Sequence, residues 1–181
     1  QYESTAIILA DEKLVVPVIK SLPVDKYNVT LGYPIRSSAA YTLFESMLSL
    51  YANKRNNNLY YKDVLKICEN PLIPTTINGQ IKALRDDIIN NKKITIPIDD
   101  CGDALDFIFQ LDTTLEHYVE NLSYAITSIC KYFALNEIDK SIFYTIYTQL
   151  SVVQKIIEDN NIKLEKIEFI NNLLKKTLQS K

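Results

Sequence analysis

Glycine is almost missing from this chain, with three residues in 181. That scarcity argues against phosphate-cradling glycine loops and against turn-rich all-β architectures. Histidine occurs once, as His117, so a histidine-based zinc site or a Ser-His-Asp triad lacks its parts. The three cysteines, Cys68, Cys101 and Cys130, form no CxxC pair and stand far apart. A zinc ribbon or a disulfide framework is therefore excluded, and reduced thiols beside apolar neighbours are expected to be buried. No apolar stretch nears the roughly 20 residues of a bilayer span. No basic-then-apolar leader opens the sequence either, so a cytoplasmic protein without membrane contact is expected. Charge is nearly balanced, 20 basic against 22 acidic residues with a net −2, which rules out a polycation coating nucleic acid but not a local basic face.

What is present is a core-forming fraction of 47% hydrophobic residues, within the ordinary globular range. The opening residues carry a different pattern from the rest. Thr5–Ala10 (TAIILA) is an apolar run, and a helical stretch to Leu22 follows. Pro23 and a second β-rich run, Tyr27–Leu31, lead to Gly32. This order is that of a parallel strand–helix–strand crossover. Asp11 is placed to cap the helix, and Pro17 predicts a kink or a start near Val15. Two parallel strands need neighbours at both edges and cover on both faces. Hence the chain reads as an excerpt of a larger α/β protein, cut just before a strand.

Beyond Gly32-Tyr33-Pro34 the periodicity is helical. Ser37 or Ser38 caps a long helix to about Asn53, with Ala40, Leu43, Phe44, Met47, Leu50 and Tyr51 on one face. Asn53–Asn58 (NKRNNN) reads as a loop. Tyr61–Asn70 is a short helix with Val64, Leu65 and Cys68 inward, ended by Pro71 and Pro74. Thr75 or Thr76 caps another, with Ile77, Ile81, Leu84 and Ile88 in a stripe. Lys93–Pro97 (KITIP) alternates as a short strand would, but no partner is evident, and an extended connector serves equally well. Leu111, Leu115, Val119, Leu122, Ile126, Ile129 and Phe133 step by three and four. Asn136 then starts a helix broken at Asp159-Asn160-Asn161, and Leu164, Ile167, Ile170, Leu174 and Leu178 form the last. Three amphipathic helices joined by short loops make an antiparallel bundle. The expected fold is mainly α: a partial parallel βαβ unit at 1–35, then a multi-helix antiparallel bundle at 36–181.

Each candidate for chemistry has a plainer alternative. Asp11-Glu12-Lys13 matches half of a metal-dependent nuclease motif, yet no carboxylate-bearing strand precedes it, so a helix cap explains it better. Asp99, Asp100, Asp103, Asp106, Asp112, Glu116 and Glu120 include no Lys or Arg among them. A hard cation is conceivable on Asp103 and Asp106, but a solvated acidic face is the favoured reading. His117 reads as a surface residue, and nothing in the spacing pairs it with Cys101. Tyr33, Tyr41, Tyr51, Tyr60 and Tyr61 lie near Arg36, Lys54, Arg55 and Lys62, an interleaving that suits single-strand binding. Tyrosines at the edges of a helical core fit those positions equally. Lys163, Lys166, Lys175, Lys176 and Lys181 give the C-terminal helix a mild positive bias, a solvated face by default.

The stretch TAIILADEKLVVPVIKSLPVDKYNVTLGYPIRSSAAYTLFESMLSLYANK resembles the second motor domain of UvrD-type helicases, where strand, helix and strand lead through a Gly-bearing turn to a long helix of the inserted subdomain. The following YYKDVLKICENPLI is similar to the next segment in AddB-like members of the PD-(D/E)XK nuclease family of helicase–nucleases. The resemblance spans Thr5–Ile73. Active helicases of this group place an arginine after the first strand; Ala10 and Asp11 stand there, as in AddB-like subunits whose helicase-like domains have lost ATPase function. The chain holds no GxxxxGK[ST] loop, no helicase Asp-Glu pair for Mg²⁺ and no complete nuclease motif of its own.

The resemblance therefore implies a non-catalytic excerpt of a DNA helicase–nuclease of double-strand-break repair and recombination. Its role would be scaffolding or DNA positioning, with Tyr33, Arg36 and Ser37 as the nucleic-acid contacts. No catalytic or metal-ligating residue and no cofactor is expected within the chain; the parent would supply Mg²⁺ and ATP chemistry. The implied partners are DNA, the parent's remaining domains and a helicase–nuclease partner subunit. The alternative is a helical protein-interaction module without nucleic-acid contact. A third possibility is a small metal-dependent enzyme using the Asp99–Asp106 acids.

Overall fold

Fifteen residues without glycine or proline, Ala39–Asn53, build the helix around which the larger unit is organised. The structure, a computed structural model, describes residues 7–9, 11, 14–23, 35–110, 114, 117–160 and 167–179. The chain separates into two units, Gln1–Ser38 and Ala39–Lys181. The fold is mainly α. In the first unit, α1 is Val15–Ser21, with Leu14 at its N-cap contributing no side-chain bond; Asp11 instead accepts from the Leu14 amide through its backbone carbonyl, at 3.0 Å. The helix thus starts where Pro17 allows, since proline within the first turn blocks no helical bond. Of the run expected as the first strand, residues 7–9 carry no strand, and Ile8 is 93% exposed. The remainder of that run and the second one, with Gly32 and Tyr33, lie outside the described residues.

The second unit begins with α2, Ala39–Asn53. The sequence put one apolar face on it, but burial extends further, to Tyr41, Ser46 and Leu48 as well as Leu43, Phe44, Met47, Leu50 and Tyr51. The reason is crowding from several sides. α3 (Tyr61–Cys68), α7 (Glu137–Asp159), α8 (Ile167–Gln179) and the strand β1 (Asn58–Tyr60) all pack on α2. Its antiparallel course against α3 is fixed at both ends. Asn53 Nδ2 donates to Asp63 Oδ2 at 2.7 Å, and Asn70 Nδ2, just past α3, donates to the Ala39 carbonyl at 3.1 Å.

β1 pairs antiparallel with β2 (Thr95–Pro97), register Asn58↔Pro97, Leu59↔Ile96 and Tyr60↔Thr95. KITIP therefore has a partner after all. The last residue of the expected asparagine loop and the two residues after it supply that partner. Leu59 and Ile96 are its buried pair, and Asn56 with φ of 53° turns the chain into it. Between the strands lies α4, Asn78–Asn90, with Ile81, Leu84 and Ile88 inward as the stripe predicts. A 3-10 turn at Ile98–Cys101 ends on Gly102, whose φ of 70° suits only glycine without strain. The short α5, Asp106–Phe109, follows.

α6 is Tyr118–Tyr132, with its start at the turn residue His117; Leu111 and Leu115 of the expected stripe lie outside the described residues. α7 is capped as its sequence specifies: Asn136 Oδ1 accepts from the Asp139 amide at 2.8 Å, satisfying one orphan donor of the first turn. It ends at Asp159, and α8 completes the set. α6 packs on α7 and α7 on α8. Gln154 near the end of α7 meets Glu120 at the start of α6, so the two run antiparallel. Glu45 lies 3.5 Å from Lys175 and the Leu48 carbonyl accepts from Asn171, so α2 and α8 also run antiparallel. Among the described residues, α2 thus joins the three expected helices in the bundle. Its interior includes Phe143, Ile146, Leu150, Ile170 and Leu174, all inaccessible to solvent.

Candidate functional site

The residues expected to touch nucleic acid belong to the first unit. Arg36 and Ser37 sit on a 3-10 turn, Ile35–Ser37, and both are exposed. Ser38 closes that turn, its amide and hydroxyl both donating to the Ile35 carbonyl at 3.1 and 2.6 Å. Tyr33 lies outside the described residues.

The neighbouring tyrosines divide cleanly. Tyr41 and Tyr51 are buried, and the Tyr51 hydroxyl donates to the Ile108 carbonyl at 2.7 Å. Burial, with Tyr118 close by, holds its ionisation far above the ordinary value. Tyr60 and Tyr61 are half-buried and meet edge to face, ring centroids 5.0 Å apart, with the Lys62 ammonium 5.9 Å from the Tyr61 ring. Two of these rings are therefore core rather than stacking platforms. Exposed rings occur elsewhere: Tyr124 and Tyr132 on α6, Tyr144 and Tyr147 on α7, with Tyr144 73% exposed. The signal was in the sequence. These positions fall off the apolar stripes that define the two inward faces.

The acidic run does not converge on a cation. Asp103 opens one short 3-10 turn and Asp106 opens α5, where its own Oδ1 accepts from the Phe107 amide at 2.6 Å. Lys93, upstream of the run, reaches Asp87 at 2.8 Å and Asp100 at 3.1 Å. Its hydrogen bonds lower the Asp87 carboxyl, and those carboxylates raise Lys93 in turn. Among the described residues no group of three or more His, Cys, Asp or Glu side chains could hold a metal ion. Asp112 and Glu116 lie outside those residues. His117 is exposed, its Nδ1 3.1 Å from Glu120 Oε2, whereas Cys101 donates weakly to the Pro97 carbonyl at 3.8 Å. Neither is engaged with the other as nucleophile and base would be.

The thiols also differ from expectation in one case. Cys101 is buried and Cys68 partly so; burial is the main cause that pushes both up to about 12. Cys130, near the end of α6, is exposed although Ile126, four residues before it on the same face, is buried. Two shallow depressions remain. One, of about 490 Å³, is lined by Gln80, Leu84, Asp87, Asp100, Cys101 and Asp103; the other, of about 210 Å³, lies between α2 and α8 beside Asn53, Asn172 and Lys175. Arg85 Nε is a buried nitrogen without a hydrogen-bond partner, while Nη2 of the same guanidinium lies 3.6 Å from Asp86 Oδ1.

Among the described residues no helix is long and apolar enough to cross a membrane. Comparison with protein-family models, with curated proteins and with solved structures found no significant match to this chain.

Proposed function

We propose that the chain is a non-catalytic helical part of a cytoplasmic DNA helicase–nuclease of double-strand-break repair and recombination, and that it positions DNA or the nuclease domain. The observation that carries this reading is the exposed turn Ile35–Ser37, which precedes α2 directly in sequence. It is the place where the resembling helicases pass from strand to inserted helical subdomain. A guanidinium and a hydroxyl presented there have the chemistry of phosphate contact. Mg²⁺ and ATP, where used, act in the parent's other domains, and the partners are those domains, DNA and a helicase–nuclease partner subunit. The experiment is a salt titration of single-stranded DNA binding by the parent's helicase half, with Arg36→Ala beside the wild type. A several-fold loss and a salt slope shallower by about one are expected. Undetectable binding by the wild type, or an unchanged slope, overturns the reading.

A helical protein-interaction module is the second reading, favoured by the outward tyrosines. Tyr124 lies one turn beyond Glu120 on α6, and Tyr147 and Tyr144 lie two and three turns before Gln154 on α7; Glu120 and Gln154 are 3.5 Å apart. The antiparallel pairing thus sets Tyr124 and Tyr147 near the side marked by Glu120 and Gln154, with Tyr144 further round α7. Tyrosine suits such a surface because it offers large area at low conformational cost. Here the double variant Tyr124→Ser/Tyr147→Ser weakens association with the parent's remaining domains in sedimentation, while DNA binding stays unchanged. Unaltered association removes this reading.

A further inference from the structure

We draw no further inference here: the strongest candidate, the row of exposed tyrosines Tyr124, Tyr147 and Tyr144 along the α6–α7 pair, belongs to the second reading just given, and nothing in the structure shows what covers it.

Discussion

The burial of Cys68, Cys101, Tyr51 and Tyr118 makes alkaline pH a probe of this core. In each, the folded chain favours the neutral form, chiefly because burial penalises the charge. A group whose folded value lies above its unfolded value contributes stability that is complete below the unfolded value. That contribution is lost as pH rises toward the folded one. For the two thiols the window opens near their ordinary 9.0 and closes near 12. The tyrosines begin to add from their ordinary 10.0 upward. Urea midpoints measured from pH 7 to 11 should therefore be level at first and fall above pH 9, each thiol adding at most about 1.4 kcal/mol per pH unit. Thiol labelling at pH 8 supplies the companion measurement: Cys130 reacts in the folded protein, Cys68 and Cys101 only after denaturation. A flat midpoint above pH 9, or three equally fast thiols, contradicts the burial. At this scale the sequence was a partial guide. Reduced, unpaired thiols were expected and are found, but local apolar neighbours did not foretell the exposure of Cys130.

Elements were the most legible part of the chain, for a physical reason. The cap at Asn136, the break at Asp159, the start of α1 at Val15 and the inward stripe of α4 are all decided within a few residues of themselves. The β1–β2 ladder was not, because Leu59 and Ile96 find each other across the intervening α3 and α4 and the asparagines before Leu59 read as loop. The attachment of α8 to α2 is equally invisible in sequence. Asn171, on the apolar side of α8, accepts from the Tyr118 hydroxyl at 2.8 Å and donates to the Leu48 carbonyl at 3.1 Å. One amide thereby joins α6, α8 and the backbone of α2, and Tyr118 also meets Tyr51 edge to face at 6.1 Å. Asn171→Leu leaves the buried Tyr118 hydroxyl unpaired and removes the extra bond to the Leu48 carbonyl, which lies within the α2 helical ladder; one unpaired buried group costs about 1–3 kcal/mol. Urea unfolding should show a loss of about 1–3 kcal/mol for Asn171→Leu and less for Tyr118→Phe, which keeps the ring. In the double variant the costs should be less than additive, since both remove the same bond. Full additivity would mean that the two side chains act independently.

At the scale of the whole molecule, the placement of α2 accounts for both what was foreseen and what was not. Three-and-four spacing reports that a helix has an inner face; it cannot report how many neighbours share it. The burial of Tyr41, Ser46 and Leu48 beyond the expected stripe is the mark of a helix packed on several sides. The candidate site was less legible still. Arg36 and Ser37 could be placed on an exposed turn, but the outward tyrosines of α6 and α7 stand out only once the antiparallel pairing is known. Since α2 belongs with α3, α7 and α8 in the unit Ala39–Lys181, cooperativity should reside there. A chain shortened to 39–181 should retain its helical circular dichroism and unfold in urea in a single transition. Its midpoint should lie near that of the main transition of the full chain, because the packed interior that sets it is intact. The same shortened chain separates the two functional readings. It lacks Arg36 and Ser37 yet keeps Tyr124, Tyr144 and Tyr147, so it should lose DNA binding under the first and retain partner association under the second. Loss of the cooperative transition on removing residues 1–38 would show instead that α2 needs the first unit in order to fold.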